Sequence, residues 1–246
     1  MKKIFTIVAM AAMLMACGGN EEDPQNKPGN KPGPGDEVQY EAPIKADGNF
    51  ADWDALDASK VSVATLPEGL VKYDGLTTLK VYADEMYVYA YIEFDDVVIA
   101  DKKEVPFHFY LNADNSDATG GGDDIWTDCD AEWLFEGFIF EGGEFCSYDP
   151  SIYDWRGEVG VADWAWAPEE EVTLPSGSGV SSGAGSGNAY EFAIMREMLP
   201  FELEDTFTLG VDIQQDWNSV GMLPCGVITD EDSLGTATKL VVNVDK

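Results

Sequence analysis

Residues 86–94 alternate without a break: Met86, Val88, Ala90, Ile92 and Phe94 fall on one side, and Tyr87, Tyr89 and Tyr91 on the other. A period of two is the period of a β-strand, whose successive side chains point to opposite faces. Residues 79–82 run with the same period just upstream, across Ala83-Asp84-Glu85, so the two segments read as a hairpin. Neither face of the second strand is polar enough to stand in water alone. Both faces are expected to be at least partly covered, and the tyrosine stripe reads as cross-strand packing rather than as a binding platform.

Further strands are expected at residues 106–112, 131–140, 190–194, 206–213 and 239–244, with a turn at Glu141-Gly142-Gly143-Glu144 and a short helical turn at 196–199 before Pro200. Asp47-Gly48 supplies a tight turn near the start. No long window carries helical periodicity. Residues 40–246, just over two hundred in all, are therefore expected to form one all-β domain, a single antiparallel β-sandwich. The Ser/Gly run at 176–187 reads as a loop inserted in that domain, tolerated because lengthening a loop costs little free energy.

The segment before residue 40 has a different character. Lys2 and Lys3 precede an apolar run over residues 4–15 that is too short to span a bilayer as a helix, which is the layout of a secretory signal. Its ending, Leu14-Met15-Ala16-Cys17, resembles the lipobox of bacterial lipoproteins. That resemblance implies cleavage before Cys17, loss of residues 1–16, acylation of Cys17 with palmitate-type chains, and a membrane partner reached through lipid. The following Gly18-Gly19-Asn20-Glu21-Glu22-Asp23 resembles the surface-export signal of lipoproteins from glycan-foraging Gram-negative bacteria, implying an outer-membrane protein facing the exterior; the same acids also serve simply to solvate a tether. Residues 24–35 alternate proline and glycine with polar residues and form neither helix nor sheet. Residues 17–39 thus read as a lipidated tether holding the domain some tens of ångströms off the membrane, at about 3 Å per residue.

Charge narrows the partners. With 47 acids against 14 bases the chain carries a net charge of −33, a field that repels nucleic acid and anionic lipid surfaces and leaves neutral glycans and cations open. With Cys17 spent on lipid, Cys129, Cys146 and Cys225 remain, an odd number. A Cys129–Cys146 bridge would close a short loop, contributing about 3 kcal/mol if geometry allowed it; the pairing is not readable from spacing. One histidine and no Cys-x-x-Cys argue against zinc.

Four motifs in order, Asp47-Gly48-x-x-x-Asp52-Trp53, Val81-Tyr82-Ala83-Asp84 leading into Tyr87-Val88-Tyr89, Tyr110-Leu111-Asn112-Ala113-Asp114-Asn115, and Tyr190-Glu191-Phe192-Ala193-Ile194, span most of the domain. Together they resemble carbohydrate-binding module family 9 and the DOMON-like β-sandwiches. The resemblance implies a sandwich that binds saccharide without catalysis. The family's usual acid at the position of Asn112 is here an amide, which removes the simplest ligand role for that residue. Some DOMON-like domains hold haem through Met and His; here Met86 and His108 have no motif around them, and no haem is expected.

Sugar rings offer apolar C–H faces that stack on indole, with hydroxyls left for polar neighbours. Of the seven tryptophans, Trp126, Trp155, Trp164, Trp166 and Trp217 lie among glycine, acid or amide residues rather than in apolar runs, and are the candidate platforms. Trp164 and Trp166 would share a face if extended, and Gln214 is the candidate polar partner upstream of Trp217. The loop over residues 112–124 gathers oxygen ligands over glycine turns, which suits a hard cation; Asp114, Asp117 and Asp123 are the candidate ligands of a structural calcium. Acidic turn residues also cap their own backbone without metal.

Asp128-Cys129-Asp130-Ala131-Glu132 resembles the catalytic strand of laminarinase-like glycoside hydrolases, which would imply an enzyme. That family places glutamate where this chain has Asp128, and on a flat strand the Cα atoms of Asp128 and Glu132 stand about 13 Å apart, against a carboxyl separation of about 5 to 5.5 Å in retaining enzymes. His108 sits between Phe107 and Phe109 and reads as a packed, hydrogen-bonded residue. The expectation is a non-enzymatic, glycan-binding surface lipoprotein, with a structural or adhesive protein lacking a saccharide ligand as the alternative.

Overall fold

The computed structural model describes residues 40–67, 75–100, 104–122, 129–161, 163–173, 181–225 and 238–246. A short helix α1 (Ala51–Ala55) precedes the strands β1 (Ser62–Thr65), β2 (Leu76–Ala83), β3 (Tyr87–Phe94), β4 (Glu104–Asn112), β5 (Trp133–Glu141), β6 (Glu144–Phe145), β7 (Ser151–Trp155), β8 (Trp166–Thr173), β9 (Ser181–Ser186), β10 (Ala189–Met195), β11 (Thr206–Gln215), β12 (Asn218–Leu223) and β13 (Leu240–Asn243). They form two antiparallel sheets, ordered β1-β2-β3-β10-β9 and β12-β11-β4-β5-β7-β8. Strand β13 extends the β11 edge beside β12, and β6 pairs with β5. The all-β sandwich expected from the alternation is the observed fold.

The period of two decides which residues meet between the sheets. In β3, Val88, Ala90 and Ile92 sit opposite Ile194, Phe192 and Tyr190 of β10 and face inward. In β4 the inward residues are Val105, Phe107, Phe109 and Leu111, and Phe192 from the smaller sheet packs edge-on against both Phe107 and Phe109, at 5.6 and 5.7 Å between ring centroids. Antiparallel partners share a face, so Leu209, Val211 and Ile213 of β11 join them. The odd phase, from Val105 to Leu111 in β4 and from Phe207 to Ile213 in β11, builds the core. Everything on the even phase, His108, Tyr110, Asn112, Thr208, Asp212 and Gln214, points out of the larger sheet.

The outer face of the smaller sheet is sealed by the chain that precedes it. Trp53 and Ile44 are buried there with Tyr82, Tyr89 and Ala193, and Phe50 packs edge-on against Tyr91. The tyrosine stripe of β3 is thus packing, as expected. The seal is fastened by Glu191 of β10: Oε2 accepts the Trp53 indole N–H at 2.8 Å, and Oε1 accepts the backbone N–H groups of Gly48 at 3.0 Å and Asp47 at 3.2 Å. Gly48 has φ +81°, which is what lets the Asp47-Gly48 turn aim both amides at one oxygen. Two of the four motifs noted in the sequence, 47–53 and 190–194, therefore meet in space.

One expectation is corrected, and one open pairing is answered. The Ser/Gly run is not wholly a loop: residues 181–186 are the edge strand β9, while 174–180 lie outside the described residues. Its glycines are there for contact. A Cβ on Gly183 would run into the Tyr190 hydroxyl and Tyr148, and one on Gly185 into the Phe145 ring. The Cys129–Cys146 bridge is not formed. Cys129 precedes β5 and donates its S–H to the Gly121 carbonyl at 2.9 Å, whereas Cys146 is held beside Ile139 near the other end of β5. At about 3.4 Å per residue the length of β5 separates them by far more than a disulfide spans.

Candidate functional site

The outer face of the larger sheet carries a polar network in the middle of otherwise apolar strands. His108 of β4 stands opposite Asp212 of β11 on one side and Glu136 of β5 on the other. Its Nε2 lies 3.1 Å from Glu136 Oε2, and its Nδ1 lies 3.2 Å from both the Tyr110 hydroxyl and Gln214 Nε2. Gln214 Nε2 also donates to Asp212 Oδ2 at 2.8 Å, while the Ser219 hydroxyl donates to Asp212 Oδ1. Because a carboxylate only accepts, the amide orientation of Gln214 is fixed by Asp212, so Nδ1 of His108 receives an N–H and Nε2 carries the proton given to Glu136. Tyr153 of β7 donates to the second oxygen of Glu136 at 3.3 Å, and burial raises its phenol pKa above the ordinary value.

Two indoles flank this network. Trp164 and Trp217 are 57% and 53% exposed, and their rings lie 6.3 and 6.5 Å from the imidazole of His108. Trp164 is set by the bend before β8: Asp163 N–H bonds the Gly122 carbonyl, the Asp163 carboxylate accepts the Trp164 N–H at 2.8 Å, and Arg156 N–H closes on Ala165 O. Trp217 sits at the tip of the β11–β12 hairpin. Gln215 pairs with Asn218, so Asp216-Trp217 is a two-residue turn, and both residues have positive φ, +50° and +63°. Such a turn favours Asn-Gly, because the left-handed region costs an ordinary side chain about 1 to 2 kcal/mol. A tryptophan there is a bulky residue held against local preference, with its ring edge-on to Phe138 at 5.8 Å.

The other sequence candidates are placed differently. Trp155 and Trp166 sit opposite each other on β7 and β8 and pack together at 5.1 Å, with Trp166 only 7% exposed and in contact with Tyr110. Trp164 and Trp166 lie over the same outer face, against His108 and Tyr110 respectively, but Trp164 precedes the strand and is exposed while Trp166 is buried within it. Trp126 and Asp123 lie outside the described residues, as do Cys17, the tether and Asp128. Asp114 accepts the Ser116 N–H at 2.9 Å and the Thr119 hydroxyl at 3.2 Å, and Asp117 is exposed. Among the described residues no group of three or more His, Cys, Asp or Glu side chains is placed to hold a metal.

Asn112 is buried and binds Ser116 through both its amide oxygen and nitrogen, which makes it the clasp of this loop. Glu132 accepts the Thr119 hydroxyl at 2.7 Å and the Ala113 N–H at 2.8 Å. Burial raises its pKa above the ordinary glutamate value despite those bonds. Asp130 is ion-paired with Lys239. Met86 lies at the β2–β3 turn of the smaller sheet and His108 on the larger one, so they do not face one site.

Of the predicted residues, then, Trp164, Trp217 and Gln214 converge. Asp212, in the polar stretch before Trp217, joins them, as do His108, Glu136 and Tyr110, which were not candidates from the sequence. The signal for His108, Tyr110 and Asp212 is the even phase of 106–112 and 208–214, a polar phase interleaved with a phase of Phe, Leu, Val and Ile; Glu136 stands in phase with Leu134, Phe138 and Phe140 and gives no such signal. No protein-family model, curated protein or solved structure matches this chain.

Proposed function

We propose that the protein is a non-catalytic, lipid-anchored protein of the outer-membrane surface whose larger sheet binds glycan between Trp164 and Trp217. The observation that carries this reading is the pair of half-exposed indoles on either side of a buried polar network. Stacking on indole takes up the apolar face of a pyranose, and the carboxylate and amide oxygens beside it accept the hydroxyls. A protein using its surface tryptophans only for packing would be expected to bury them, as it does Trp53 and Trp166. The likeness to carbohydrate-binding module family 9 and DOMON-like domains agrees with this role, and Leu14-Met15-Ala16-Cys17 with the anchor.

The test is a glycan-array screen of the full chain in detergent, followed by calorimetric titration of each hit. Binding is expected to weaken about tenfold, or about 1.4 kcal/mol, in Trp164→Ala and in Trp217→Ala, with the circular dichroism unchanged. Silence across the array, or hits indifferent to both substitutions, would overturn the site. Separately, Cys17→Ser is expected to move the protein from the membrane fraction to the soluble one and to abolish palmitate labelling; retention in the membrane would remove the anchor.

A further inference from the structure

The donors and acceptors of the network do not balance. Both amide protons of Gln214 are committed, to Asp212 and His108, the Ser219 hydroxyl proton to Asp212, the Tyr153 proton to Glu136, and the His108 Nε2 proton to Glu136. Around Gln214 what is left over is an acceptor. Gln214 is 5% exposed, and its Oε1, the other limb of the amide that Asp212 holds in place, is buried with no hydrogen-bond partner. A buried acceptor without a donor costs about 1 to 3 kcal/mol, so this oxygen is a standing demand for an N–H or O–H from outside the protein. Glu136, with its side chain 20% exposed, keeps spare lone pairs as well.

The surroundings add negative charge and little positive charge. Asp163 and Asp216, each the chain neighbour of a flanking tryptophan, are both exposed. Among the described residues, the ion pairs of Lys60, Arg156, Lys239 and Lys246 go to Asp245, Asp154, Asp130 and Asp205, none of them in the network. Indole faces attract cations through the ring quadrupole, and the two flanking rings lie against His108, the partner of Glu136.

Resting on the saccharide reading above, we infer that the preferred ligand is an amino sugar, bound with its protonated amine toward Glu136 and Gln214 Oε1. An ammonium offers three donors and no acceptor, which complements the Gln214 oxygen and the lone pairs of Glu136. A neutral hydroxyl fulfils the demand more weakly, and a uronate or sulfated sugar brings acceptors and like charge to it.

The experiment is calorimetric titration of the full chain at pH 6 with the β-1,4 disaccharides of glucosamine, N-acetylglucosamine and glucose, and with a digalacturonate. The glucosamine disaccharide is expected to bind at least tenfold more tightly than the glucose one, with no heat from the uronate. Glu136→Gln is expected to erase most of that advantage, and Gln214→Met to weaken the glucosamine disaccharide about fivefold or more. Equal or tighter binding of the glucose disaccharide would overturn the amine preference and leave the saccharide site standing. Binding of glucosamine that survives Trp164→Ala, Trp217→Ala and Glu136→Gln alike would show attraction to the acidic surface at large, and would overturn the inference. Absence of binding by all four disaccharides would overturn both readings.

Discussion

The two outer faces of the sandwich each carry a buried acid, and they treat it in opposite ways. On the smaller sheet, Glu191 accepts three N–H donors from the segment that lies over it, and that segment closes the face with Trp53 and Ile44. On the larger sheet, the acids Asp212 and Glu136 are tied to Gln214, Ser219, His108 and Tyr153, yet an amide oxygen is left without a donor and the aromatics beside it remain half exposed. The first arrangement is complete within the chain. The second leaves an acceptor unpaired, and the proposed binding face rests on that asymmetry rather than on any single tryptophan.

The sharpest way to break the comparison is on the sealed face. Trp53→Ala removes a buried indole and leaves Glu191 short of a donor; it is expected to cost about 4 kcal/mol in urea unfolding while leaving glycan affinity within threefold at low temperature. Loss of binding in the still-folded variant would mean that the two faces are coupled. Glu191→Ala strands three donors and is expected to cost about 3 kcal/mol.

The same residue gives a pH test. Burial raises the Glu191 pKa above its ordinary 4.5, outweighing the bonds from Trp53, Gly48 and Asp47 that pull it down. The folded chain therefore keeps this proton at pH values where the unfolded chain has lost it. The contribution of Glu191 to stability falls as pH rises from about 4.5 through its raised folded value, and is level on either side of that window. The Glu191→Gln variant should lack that slope, and a difference of constant size across the window would overturn the assignment.

On the open face the effects on stability are small and the effects on binding large. Replacing Asp216-Trp217 with Asn-Gly, by Asp216→Asn and Trp217→Gly together, restores the sequence this turn prefers. It should change unfolding free energy by no more than about 1 kcal/mol in either direction, because relief of the left-handed tryptophan offsets its lost contact with Phe138. Glycan binding should nonetheless be lost. A fall in stability well beyond that range would make Trp217 a packing residue. Trp164→Ala should alter stability least, by under about 0.5 kcal/mol, since so much of the ring is already in water.

The unequal legibility of the two faces has a physical cause. The hairpin of β2 and β3, and the strands β4, β5, β10 and β11, announce themselves because each buries one or both faces and so alternates in apolar character. Strand β9 does not, since its Ser/Gly sequence is dictated by the rings of Tyr190, Tyr148 and Phe145 that lie across it. Strand β8, with Pro168 and three consecutive glutamates, gives no alternation either. At the site, Trp164, Trp217 and Gln214 stood out from their neighbours, but their convergence depends on strand order. Nothing in the spacing of residues 164 and 217 says that β8 and β12 belong to one sheet. His108 looked like a packed residue and is one; that it packs beneath two surface indoles follows only from its register with Asp212 and Glu136.

The hairpin tip has a kinetic side too. A tryptophan at the second position of a two-residue turn is fixed at the backbone by the strands on both sides and has only two side-chain torsions left to settle. Little conformational freedom remains to be lost when a partner arrives, so the ordering penalty that weakens many loop-borne contacts is largely met during folding. Strength of capture on this face would then be governed by how slowly the ligand leaves rather than by how long the protein takes to arrange itself.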